Sequence, residues 1–124
     1  MNALQAPPLM AAVAVALILV IGNGLVLLSV RMAARGSLGR WSFAGIRTPA
    51  TRMSDEAWLA GHRAALPIAY AGHGTAILFA VASLFASSAP MPYLVCLGVA
   101  VLGAITGVIG GFVVAHRAAR STLR

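Results

Sequence analysis

The residues best suited to chemistry lie in one polar stretch, residues 39–63, which reads GRWSFAGIRTPATRMSDEAWLAGHR. This stretch holds both acidic residues of the chain, several arginines and a histidine. Arg47, Arg52 and His62 could form a cationic pocket for an anionic group, such as a lipid phosphate or a partner's carboxylates. Arginine suits that role because its planar guanidinium offers paired donors to an anion.

The same residues could instead serve only to fold the stretch. Arg47 would then pair with Asp55 or Glu56, and the hydroxyls of Thr48 and Thr51 would bind backbone groups of the loop. Such local hydrogen bonds are typical of threonine in turns. The residue types alone leave the binding and the folding interpretations open.

Local signals in the polar stretch predict a shaped loop followed by a short helix at the membrane surface. Gly45 can adopt a positive φ, and Pro49 favours an extended conformation at Thr48. Ser54 stands directly before the two acidic residues, which is a typical start of a helix. In that helix Trp58 is suited to the headgroup boundary.

The elements around the polar stretch are apolar enough to lie in a membrane. Of the 124 residues, 60% are hydrophobic and only 9% are charged, whereas a soluble domain carries about 25% charged residues. A helical crossing needs roughly 20 apolar residues. We therefore predict one all-α membrane domain with three transmembrane helices, at about 9–30, 67–87 and 92–115, a loop at 31–66 containing the short interfacial helix, and a basic tail at 116–124. If the second helix instead continues upstream through Trp58, Pro67 should kink it.

The distribution of charge predicts the orientation. The nine cations are arginines, at Arg31, Arg35, Arg40, Arg47, Arg52 and Arg63 in the first loop and at Arg117, Arg120 and Arg124 in the tail. Three crossings place that loop and the tail on one side, so the positive-inside rule predicts an outside N-terminus and a cytoplasmic C-terminus. The arginines would then face anionic membrane lipids. A nucleic-acid partner is not indicated, because the chain has no recognisable binding module and few aromatic residues.

Small residues at every fourth position indicate close helix packing. Gly103, Gly107 and Gly111 have this spacing in the third apolar segment, and such a row lets another helix backbone approach closely. The partner helix could belong to this chain, to a second copy or to another membrane protein.

Two strongly polar residues lie inside apolar segments, Asn23 in the first and His73 in the second. An ionisable group in a membrane is a functional candidate, but no acidic residue in these segments could complete a proton relay. A hydrogen bond from His73 to Asn23 is therefore the favoured interpretation. Cys96 is the single cysteine and has no partner for a disulfide or a metal site. The sequence carries no motif for a metal or another cofactor.

The string FAGIRTPATRMSDEAWLAGHR resembles the signature loop of the SdpI family of bacterial membrane proteins. The family's motif positions correspond here to Gly45, Ile46, Arg47, Thr48, Pro49, Thr51, Ser54, Trp58, His62 and Arg63. The resemblance implies a three-helix module and a role like that of immunity proteins, which protect a producing cell against a secreted toxic peptide. The best-known member also holds a transcriptional repressor at the membrane, but it is longer than this chain and has more crossings.

Three functions from different classes are compatible with these features. The first is an immunity, signalling or other partner-binding protein that acts through its cytoplasmic loop. The second is a small accessory subunit that docks on a larger membrane complex through its glycine face. The third is a membrane enzyme or transporter for a lipid or small anion, with His62 as a base or His73 as a relay. We expect no enzymatic activity, because catalysis usually needs a base, an orienting group and an electrophilic stabiliser together.

Overall fold

The computed structural model describes residues 3–124, and the only regular elements in this range are three α-helices. They are α1 (Leu9–Ala34), α2 (Asp55–Phe85) and α3 (Pro90–Ser121). Each is long and apolar enough to cross a membrane. The predicted all-α fold with three transmembrane helices is confirmed, and the chain is a multi-pass membrane protein.

The second helix is longer than the sequence suggested. It begins at Asp55 and runs for 31 residues, so the expected separate interfacial helix is in fact the first turns of α2. Pro67 lies inside α2 and has no N–H for the carbonyl of Arg63, yet the helix continues through it. At 1.5 Å per residue α2 is about 46 Å long, whereas the hydrocarbon core of a bilayer is about 30 Å thick. One end of α2 must therefore project out of the membrane.

The three helices lie in a row with α2 in the middle. α2 packs against both α1 and α3, which scarcely contact each other. Most of the outward residues of α1 and α3 are exposed and apolar, as in Ile18 and Leu102, which suits helices surrounded by lipid. This arrangement leaves a space on one face of α2, between the two outer helices.

Glycine residues set the distance between α2 and α3. A Cβ on Gly72 would overlap the backbone of Gly107, and one on Gly103 would lie 2.8 Å from the carbonyl oxygen of Gly72. Gly103 and Gly107 therefore serve packing within this chain. Gly111 is buried and faces the side chain of Ile46, 3.6 Å from where its Cβ would lie.

Candidate functional site

The loop between α1 and α2, residues 35–54, carries most of the family motif, and we call it the motif loop. The chain leaves α1 through Gly36, which has a φ of 80°, a conformation that glycine adopts readily. It enters α2 through Ser54, whose hydroxyl accepts a hydrogen bond from the N–H of Ala57 at 3.0 Å. The acidic residues Asp55 and Glu56 in the first turn stabilise this helix start. Both ends of the loop are therefore fixed by helix caps.

Two buried threonines hold the centre of the motif loop. The N–H of Thr48 donates to Oγ1 of Thr51 at 2.9 Å, and the N–H of Thr51 donates to Oγ1 of Thr48 at 3.1 Å. The hydroxyl of Thr51 also donates to the carbonyl of Ile46 at 2.8 Å. These bonds form a closed turn around the exposed Pro49, and they engage both hydroxyls with the loop itself.

His62, on the third turn of α2, is completely buried beneath the motif loop. Its Nε2 lies 2.8 Å from the N–H of Ile46, and its Nδ1 lies 2.8 Å from the carbonyl oxygen of Trp58. The first contact requires a lone pair on Nε2 and the second a proton on Nδ1, so the geometry assigns the neutral Nδ1–H tautomer. Of the two interpretations, these contacts favour a role of His62 in folding the loop over a place in the cationic pocket, because both ring nitrogens bind the backbone.

Trp58 packs against His62 and supports the loop from below. The ring centroids are 4.1 Å apart, and Nε1 of Trp58 donates to the carbonyl of Leu38 at 2.6 Å. Trp58 is only 2% exposed, so its ring packs inside the protein and has scarcely any surface for lipid headgroups. Gly45, with a φ of 95°, passes over both rings, and a Cβ there would lie 2.8 Å from Trp58 and 2.9 Å from Nε2 of His62. Only glycine fits this crossing without strain.

The arginines of the motif loop and of the start of α2 differ in whether they contact other groups of the protein. Nε of Arg40 lies 2.9 Å from Oδ1 of Asp55, although its N–H is not aimed at the carboxylate, so this pair is an electrostatic contact. Arg40, not Arg47, is thus the partner of Asp55, which corrects the expected pairing. Arg63 donates from Nε to the carbonyl of Ala34 at 3.1 Å. Its positive charge stabilises the C-terminal end of α1, where the helix dipole is negative. Arg47 and Arg52 are exposed.

Comparison with known proteins places this loop and its supporting helices in a family. Residues 37–115 match the model of the SdpI/YfhL protein family. The chain belongs to the SdpI/YfhL family. No curated protein and no solved structure matches it. The SdpI/YfhL match begins in the motif loop and takes in α2 and most of α3, so it contains all the loop and capping contacts except the α1 end.

Two aromatic residues of the SdpI/YfhL loop were missed by the sequence interpretation. Trp41 is 76% exposed and Phe43 is 93% exposed, and the guanidinium of Arg40 lies 4.7 Å above the ring of Trp41. Their position in a polar loop, just before Gly45, could have indicated a binding role, because exposed large apolar side chains often mark an interaction surface. With Met53, which is also exposed, they give the loop surface an apolar part.

Inside the SdpI/YfhL bundle, His73 and Asn23 are joined as the sequence suggested. Nδ1 of His73 donates to Oδ1 of Asn23 at 2.7 Å, and Nδ2 of Asn23 donates to the carbonyl of Leu19 at 2.9 Å. The second bond fixes the amide orientation, so the proton of this pair lies on Nδ1 of His73. Within residues 3–124 no group of three or more histidine, cysteine or acidic side chains could hold a metal ion.

Proposed function

We propose that this chain is a partner-binding membrane protein of the immunity or signalling type, and that it acts through the exposed surface of the motif loop. The observation that carries the proposal is the division of the motif into two sets. Thr48, Thr51 and His62 are buried and bound to backbone groups, whereas Arg47 and Arg52 are exposed. The buried set holds the loop, and the exposed set is available to a partner.

A loop held in this way is suited to binding. Because its backbone is already ordered, association would require little further loss of conformational entropy. Arg47 and Arg52 would bind carboxylates or phosphates of the partner through paired donors. Trp41 and Phe43 supply the large apolar contacts that often dominate binding energy.

The same contacts argue against His62 as a catalytic base and against Gly103 and Gly107 as a docking surface for another protein. A general base needs a free lone pair near its substrate, but both nitrogens of His62 bind the backbone. The glycine row that an accessory subunit would use for docking lies between α2 and α3, where Gly72 and Gly107 are in contact. Binding through the motif loop is therefore the function we favour, and the arginine distribution favours a cytoplasmic partner.

The immunity role can be tested by survival of cells exposed to culture supernatants from strains that secrete toxic peptides. Cells lacking the gene would be complemented with the wild-type chain, the double variant Arg47→Ala/Arg52→Ala, or the control Arg117→Ala/Arg124→Ala, whose arginines lie in the tail. We expect the wild type and the tail control to restore survival. The loop variant should fail, because it lacks Arg47 and Arg52, the exposed cations at the centre of the motif loop.

Membrane levels of the three chains would be measured in parallel to exclude a difference in expression. Equal survival with and without the gene would contradict the immunity role. Equal rescue by the loop variant and the tail control would contradict the assignment of binding to the motif loop.

A further inference from the structure

A cavity of about 280 Å³ lies on one face of α2, in the space between α1 and α3. It is lined by Val30 of α1, Ala69 and His73 of α2, Phe112 of α3, and Ile46 and Arg47 of the motif loop. The outer helices scarcely contact each other, so in a bilayer the cavity faces the acyl chains. Any occupant must therefore be a lipid or must displace one.

His73 brings an unpaired hydrogen-bond acceptor to this apolar cavity. Its Nδ1–H donates to Asn23, so its Nε2 carries a lone pair. Within residues 3–124 the only hydrogen bond of the His73 ring is made by Nδ1, and Nε2 is not among the fully enclosed polar atoms that lack a partner, so it keeps some access to the cavity. The side chain is only 2% exposed, and Nε2 lies 2.8 Å from where a Cβ on Gly107 would be. An acceptor that opens onto an apolar, lipid-facing cavity finds few donors there, so a hydroxyl of a bound ligand would satisfy it.

Arg47 supplies the second polar group, at the end of the cavity formed by the loop. It is exposed and forms no ion pair within residues 3–124. A guanidinium at that position suits the phosphate of a lipid headgroup. The cavity thus offers a cation near the membrane surface, an acceptor further along α2 at His73, and apolar walls between them.

We propose that the cavity binds a single-chain anionic lipid with a free hydroxyl next to its phosphate, which is the chemistry of a lysophospholipid. The phosphate would bind Arg47, the hydroxyl would donate to Nε2 of His73, and the acyl chain would pass between Val30 and Phe112 into the surrounding lipid. The cavity of about 280 Å³ is at the lower limit of about 300 Å³ for ligand pockets, so it would hold the headgroup and the first part of one chain but not two chains. This lipid site does not depend on an immunity role.

The test is lipid binding to the purified full-length chain in mild detergent, measured by native mass spectrometry. The probes would be 1-oleoyl lysophosphatidic acid, its 2-O-methyl ether, dioleoyl phosphatidic acid and glycerol 3-phosphate. We expect one lysophosphatidic acid per chain. The other three should each bind about tenfold more weakly or worse, because they lack the hydroxyl, have a second chain or lack the chain.

Two variants assign the polar contacts. Arg47→Gln should weaken lysophosphatidic acid binding about tenfold, whereas the tail control Arg117→Gln should not change it. His73→Phe should bind lysophosphatidic acid and its methyl ether equally, because the acceptor for the hydroxyl is gone.

Several results would overturn the proposal. One is equal binding of lysophosphatidic acid by the Arg47 and Arg117 variants. Another is that the wild-type chain binds the methyl ether, or phosphatidic acid, as tightly as lysophosphatidic acid. Equal binding of glycerol 3-phosphate would indicate a phosphate site without an acyl chain. If His73→Phe does not fold, the Arg47 variant and the lipid series on the wild type still decide the outcome.

Discussion

At the scale of single residues, the motif loop is organised around buried polar side chains. Four polar side chains of the loop and of α2 are buried, those of Thr48, Thr51, Trp58 and His62. Each forms a hydrogen bond with a backbone group of the loop or of α2. Each buried polar group would be destabilising if it were left unpaired. The shape of the loop and the hydrogen bonding of these residues therefore depend on each other.

Gly45→Ala should destabilise the folded chain by about 2 kcal/mol, because alanine disfavours a positive φ and its Cβ would press on the two rings below. The φ of Gly45 is 95°, and the added Cβ would lie 2.8 Å from Trp58 and 2.9 Å from His62. Thermal unfolding in detergent, followed by the fluorescence of the buried Trp58, would measure the effect.

Gly39→Ala is the matched control in the same loop. A Cβ on Gly39 would meet nothing within 4 Å, so its unfolding temperature should stay close to that of the wild type. Equal effects of the two alanines would contradict the described path of the loop over Trp58 and His62.

Sequence reasoning reached part of this residue-scale picture. It predicted the shaping role of Gly45 and the cap at Ser54 because both depend on local backbone chemistry. It could not tell that Arg40 rather than Arg47 lies beside Asp55, or that Trp58 is buried. Those facts depend on how an irregular loop folds back on a helix, and no sequence period encodes that path.

At the scale of elements, α2 is the central helix, which contacts the motif loop and both other helices. Its first turns support the motif loop, and its later turns pack against α1 and α3. The number of helices was predictable because apolar length alone decides it. The sequence left open whether α2 runs from Asp55 through Pro67, as it does, because proline is tolerated in a membrane helix only when its surroundings compensate.

Gly72→Ala should destabilise the bundle by about 1–3 kcal/mol, because its Cβ would overlap the backbone of Gly107 and push α3 away from α2. Gly74→Ala, two residues further along the same helix, should change stability by less than about 0.5 kcal/mol, since its Cβ would meet nothing within 4 Å. Unfolding in sodium dodecyl sulfate, followed by circular dichroism, would compare the variants. Equal midpoints for the two variants would contradict the close contact between α2 and α3.

At the scale of the whole molecule, the row of three helices leaves a cavity that the sequence did not predict. The sequence predicted a hydrogen bond between His73 and Asn23, because these are the strongly polar residues of the apolar segments. The structure contains that bond. It missed the cavity because periodicity does not show that α1 and α3 stay apart. Arg47 therefore has two proposed roles, one at the loop surface and one at the cavity.

The proposed function depends most on the side of the membrane that the motif loop faces. The arginines of the loop and the tail should all lie in the cytoplasm, where Arg47 and Arg52 would meet a partner. Cysteines introduced singly as Met53→Cys and Ser88→Cys, both at exposed positions, would report this in a background with Cys96→Ala. The reagent is a maleimide that does not cross membranes.

In intact cells, the maleimide should label the cysteine at position 88, between α2 and α3, and not the one at position 53 in the motif loop. The position 53 cysteine should react only after the cells are permeabilised. Labelling of position 53 in intact cells, with position 88 protected, would contradict the orientation and with it the cytoplasmic binding surface proposed for the motif loop.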